Sequence, residues 1–106
     1  MTEFDPAKFE EKYVHYFDEL ETAYSNAYQS LHGQCDSEIL RGIDRQILSE
    51  SEPVYEGDGD FRVALPEDTA ERTASLPGDE ETVTSVLERF TDNIEQELQR
   101  IFEFEE

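Results

Sequence analysis

Apolar positions in the first third of the chain recur with the period of a helix. Advancing each residue by about 100° places Phe9, Tyr13, Tyr16, Phe17, Leu20, Ala23, Tyr24, Ala27, Tyr28 and Leu31 on one stripe. Asp5 offers a capping carboxylate and Pro6 a first-turn proline, while Gly33 supplies the left-handed residue on which such a helix ends. The pattern predicts one continuous helix over 6–32. A second stripe, Ile39, Leu40, Ile43 and Ile47, predicts a helix over 37–51 capped by Asp36 or Ser37 and stopped before Pro53. So short a connector favours antiparallel pairing of these two helices.

The period then changes from helical to alternating. Val54-Tyr55-Glu56, the turn Gly57-Asp58-Gly59 and the run Asp60–Leu65 predict a β-hairpin over 54–65, with Phe61, Val63 and Leu65 on one face. Two strands alone are marginal in water, so that face must lie on helices or join another chain. Residues 66–81 carry Leu76 as their one large apolar side chain and read as an acidic linker, with room for a helical turn near 67–74. The last helix is predicted over 80–102, capped by Asp79. Val83, Val86, Leu87, Phe90, Ile94, Leu98, Ile101 and Phe102 share its apolar side.

The fold class is therefore mainly α with a small hairpin (α+β), in the order α-α-β-β-linker-α. It is expected as a single domain over 1–106 whose long amphipathic helices pack as a bundle. A first helix of about 27 residues would be about 40 Å long, longer than a globule of this size is wide. The expectation is a homodimer, with Phe9, Tyr13, Tyr16, Phe17, Leu20, Tyr24, Tyr28 and Leu31, together with Phe90, Ile94 and Ile101, as the candidate interaction surface.

Charge narrows the function classes. The chain of 106 residues has 28 acidic and 8 basic side chains, a net charge of −20. Nucleic-acid and anionic-membrane surfaces need clustered cations, and here the cations are scattered among acids. No apolar run approaches the ~20 residues of a spanning helix, and the opening residues lack a signal region. Cys35 is the single cysteine, so no internal disulfide is expected. Acids spread along the whole chain, with lysine only at positions 8 and 12, favour a cytoplasm of molar salt in which self-repulsion is screened.

Candidate chemistry is sparse. His15 has Glu11 and Glu19 four residues either way, a spacing that lets a helix offer imidazole and carboxylate to one cation. His32-x-x-Cys35 has metal-like spacing but lacks further ligands, and Cys35 before a helix start is a candidate thiolate. Glu56-Gly57-Asp58-Gly59-Asp60 resembles a calcium loop until Phe61 takes the place of its required glycine. No cofactor motif is present. Glu97 falls inside the apolar side of the last helix, so it needs a rim position or a cation such as Arg41, Arg45 or Arg89 of a second copy.

Three segments carry a resemblance: Phe4-Asp5-Pro6 through Phe17, Ile43-Asp44 through Pro53, and Gly57-Asp58-Gly59-Asp60-Phe61-Arg62-Val63. On these the chain resembles a family of small acidic haloarchaeal proteins of uncharacterised function. The resemblance implies salt adaptation and brings no activity or catalytic residue. The expected function is a non-enzymatic protein–protein interaction module. A metal-dependent or thiol-based factor using His15, His32 or Cys35 is one alternative, and an acidic nucleic-acid mimic is another.

Overall fold

The computed structural model describes residues 4–102. Its elements are α1 (Pro6–Phe9), α2 (Lys12–His15), α3 (Phe17–Leu31), α4 (Ser37–Gln46), a 3-10 turn (Leu48–Glu50), β1 (Glu52–Gly57), β2 (Asp60–Ala64), α5 (Thr69–Ala74) and α6 (Glu80–Ile101). The class is α+β, as the pattern predicts. The longest helix, α6, matches its expected span closely. Asp79 caps it, its carboxylate accepting the Thr82 N–H at 3.2 Å, and Val83, Val86, Leu87, Phe90, Ile94 and Leu98 are buried along one side.

The continuous helix over 6–32 does not form. Glu11 (φ −114°, ψ 44°) and Tyr16 (φ −129°, ψ 22°) leave helical geometry and divide it into α1, α2 and α3. Aromatic packing accounts for the breaks. In a straight helix Phe9 and Tyr16 would be separated by about 10 Å along the axis, yet their rings lie 6.1 Å apart. Both join a cluster with Phe4, Phe61 and Phe102, with Tyr16 5.0 Å from Phe102 and Phe9 5.5 Å from Phe61. The Tyr16 hydroxyl also accepts the Asp5 N–H at 2.9 Å. Each aromatic pair adds about 0.5–1.5 kcal/mol beyond its buried area. That is comparable to the net value of a helical hydrogen bond, so several ring pairs outweigh the few bonds lost.

With the long helix gone, so is the 40 Å rod. The molecule measures 40 × 27 × 22 Å, with a radius of gyration of 14.0 Å. Helix α3 packs chiefly on α6 rather than on α4, and polar rungs set their antiparallel register. Asn26 donates to Glu97 at 2.9 Å, Asn93 to the Ser30 hydroxyl at 3.0 Å, and Arg89 to the Gln34 side chain at 3.0 Å. Asn26 and Ser30 of α3 and Gln34 just beyond its end are spaced by four residues while their partners descend α6. Glu97 therefore finds Asn26 and, one turn along its own helix, Arg100, not the arginines expected of a second copy.

Helix α4 is shorter than the expected 37–51 and gives way to the 3-10 turn. Asp36 caps it through the Glu38 and Ile39 amides. The expected linker contains α5 and is tied down. Arg72 donates to Asp68 at 2.7 Å and bonds to Glu50, while Leu76 is buried against Gly42, where a Cβ would stand 2.5 Å from a Leu76 methyl.

The two strands pair antiparallel, with Pro53 opposite Val63 and Gly57 opposite Asp60. Gly57, Asp58 and Gly59 all have positive φ, which the two glycines supply at little cost. Phe61 and Val63 are buried toward α6 as expected, but Leu65 is partly exposed and lies outside β2. Pro66 follows it and cannot donate to a ladder, so pairing ends before Leu65. The Val63 N–H points away from β1 and donates to the Glu95 carboxylate at 3.0 Å. Pro53, directly across, has no N–H to offer on its own outer edge.

Candidate functional site

Most of the proposed interaction stripe is spent inside the chain. Phe9, Tyr16, Leu20, Leu31, Phe90 and Ile94 are buried, while Tyr24, Tyr28 and Ile101 are half-buried against the core. Tyr13 and Phe17 remain at the surface, 57% and 54% exposed. The break at Tyr16 lies between them, with Tyr13 on α2 and Phe17 opening α3. Val14, on the polar side of a straight helix and absent from the expected surface, is 78% exposed beside them.

Tyr13 and Phe17 form one wall of an apolar groove of about 240 Å³. Leu20, Leu48 and Pro53 contribute buried apolar surface, and Tyr24, Glu21, Ser49 and Ser51 complete the lining. The Ser51 hydroxyl donates to the Leu48 carbonyl at 2.7 Å, which leaves the Tyr24 hydroxyl to donate to Ser51 at 2.9 Å. Burial pushes the Tyr24 phenol up to about 12, against the smaller opposing effect of the Ser51 hydrogen bond. The phenol therefore stays neutral at physiological pH.

Sequence reasoning missed Lys12. It is 5% exposed, with its ammonium 2.8 Å from the Glu52 carboxylate and 5.3 Å from the ring centroids of both Phe9 and Tyr13. The available signal was a lysine, rare in this chain, set between aromatic residues at i−3 and i+1. Its charge is satisfied beneath the groove wall, which holds one face of Tyr13 in place.

The other candidates are dispersed. His15 meets Glu11 at 3.6 Å, and His32 stacks on Tyr28 with ring centroids 6.3 Å apart. The two imidazoles belong to residues at opposite ends of α3. The half-buried Cys35 sulfur accepts from Arg89 at 3.4 Å. Among the described residues, no three His, Cys, Asp or Glu side chains converge to hold a metal ion. The acidic turn serves the hairpin. Glu56 pairs with Arg62 at 3.1 Å, and Gln99 donates to the Gly59 carbonyl and the Asp60 carboxylate. A larger groove of about 440 Å³ follows the polar rungs between α3 and α6, but many of the polar groups along it already pair with one another.

Glu95 offers a test of the helix–hairpin contact. Desolvation raises its pKa above the usual carboxylate value, outweighing the Val63 hydrogen bond that lowers it. A carboxyl whose folded pKa is raised destabilises the fold above both pKa values and is relieved as pH falls through the folded one. Glu95→Gln keeps an acceptor for Val63 and removes one negative charge. It is expected to raise stability at pH 7 by about 0.5 kcal/mol, a gain that shrinks as the pH falls through the raised pKa of the Glu95 carboxyl, read by urea unfolding across a pH series.

Among the described residues, no helix is long and apolar enough to cross a membrane. A family model described as "Family of unknown function (DUF5783)" matches residues 1–105. No curated protein and no solved structure matches the chain.

Proposed function

The chain belongs to the DUF5783 family, a family of unknown function, and on that premise we propose that it is a non-enzymatic protein–protein interaction module adapted to a haloarchaeal cytoplasm of molar salt. One observation carries the reading: two large aromatic side chains, Tyr13 and Phe17, stand more than half exposed while lining a preformed apolar groove, with Val14 exposed in the same short segment. A chain this acidic and this small gains nothing in solubility from such a patch, and contiguous exposed apolar surface marks contact sites. The net charge of −20 supports the salt adaptation.

Phe17→Ser separates contact from packing, because the ring is half in solvent. The substitution is expected to change folding stability by no more than about 0.5 kcal/mol while abolishing association through the patch. Light scattering on size-exclusion eluates in molar KCl reads self-association. Affinity purification from the source cells at native salt, with wild type and Phe17→Ser side by side, reads other partners. If neither self-association nor any co-purifying protein responds to the substitution, the module reading fails.

A further inference from the structure

We propose that the occupant of the Tyr13–Phe17 groove is a cationic amphipathic helix of another protein, with an aliphatic side chain seated in the groove and arginine or lysine along its rim. This rests on the interaction-module reading and assigns the partner's chemistry. The groove, at about 240 Å³, is smaller than the roughly 300 Å³ at which small-molecule pockets begin. It has room for one or two anchor side chains rather than a whole cofactor. Its buried apolar surface and aromatic lining suit an aliphatic anchor projected from an amphipathic helix.

Charge decides between a second copy and a different partner. Glu21 lines the groove, and Glu10, Glu11 and Asp18 are exposed in the adjoining segments. The lysine of α2, Lys12, is turned inward onto Glu52. A second copy docked on this face brings the same acids against these, whereas a basic rim complements them. Exposed tyrosine and phenylalanine faces add attraction for guanidinium or ammonium groups. The hairpin edges narrow the binding mode. Val63 N–H is taken by Glu95 and Pro53 has none to give, so each edge lacks a donor at one rung, which favours a helix laid in the groove over strand addition.

The probes are two synthetic helices of about 18 residues, five turns, with identical leucine stripes and either lysine or glutamate on the polar face. Each is titrated into the full chain in molar KCl, where a Debye length of about 3 Å removes long-range attraction and leaves contact pairs. Amide chemical shifts and affinity are recorded. The lysine helix is expected to shift Tyr13, Val14, Phe17 and Tyr24 selectively, to bind at least roughly tenfold more weakly to Phe17→Ser, and to outcompete the glutamate helix. Equal binding to wild type and Phe17→Ser would show attraction to overall charge and overturn the proposal. Equal binding of the two helices would overturn the cationic rim. Self-association that blocks the groove would assign it to a second copy, overturning this inference while leaving the module reading standing. No binding of either helix would overturn this inference, while the module reading is decided separately by the co-purification of partners with wild type and Phe17→Ser.

Discussion

Replacing Phe90 by alanine is expected to remove about 3–5 kcal/mol of folding stability. Phe90 is fully buried midway along α6, with Tyr28 of α3 6.1 Å from its ring. Truncation leaves a cavity between the two principal helices, where fully buried neighbours such as Ile94 and Leu98 are held by their own helix and relax little to fill it. Domains of this size have only about 5–15 kcal/mol in total. At roughly 4–8 °C per kcal/mol, the melting temperature should fall by some 15–30 °C. Phe90→Leu, which retains most of the volume, should cost less than about 1.5 kcal/mol. Thermal and urea unfolding of both variants in molar KCl provides the check. A loss under about 1 kcal/mol for the alanine variant would mean that α6 does not pack through this side.

The second large effect is expected from salt alone. Raising KCl from about 0.1 M to 1 M shortens the Debye length from about 10 Å to about 3 Å. The ion pairs described above, such as Arg72 with Asp68 and Lys12 with Glu52, are weakened by screening. Repulsion among the acids is weakened too, and 28 acids against 8 cations decide the sign: stability rises with salt. A recovery of about 2–3 kcal/mol would raise the melting temperature by roughly 10–20 °C. Melting followed by circular dichroism across a KCl series measures it. A flat or falling series would overturn the salt-adapted reading and leave the fold untouched.

The parts of this fold legible from sequence are those whose shape is set by neighbours along the chain. Helix α6 keeps one apolar period for 22 residues between a capping aspartate and Phe102, and nothing elsewhere competes with it. The hairpin is written in its glycine turn and in the alternation of Phe61 and Val63. The first helix was illegible at its breaks because Phe9, Tyr13, Tyr16 and Leu20 keep helical spacing straight through them. What divides α1, α2 and α3 is the pull of Phe61 and Phe102, which lie far along the chain. The same cause hid the groove. A stripe read on a straight helix cannot separate Tyr16, which ends in the core, from Tyr13, which ends outside it. The burial of Lys12 is hidden from the sequence because its partner Glu52 is 40 residues away.

The blocked hairpin carries a consequence for life at high protein concentration. A naked ribbon edge invites a neighbour's backbone to zip onto it, and the product can grow without limit into fibrils. Salt strong enough to screen this chain's acids also removes the repulsion that would keep such edges apart. With a side-chain carboxylate occupying one rim and an imino acid interrupting the other, each rim is blocked at one rung against templated growth. In brine that screens its charge, this blocked rung is what would still set the ribbon against edge-to-edge growth.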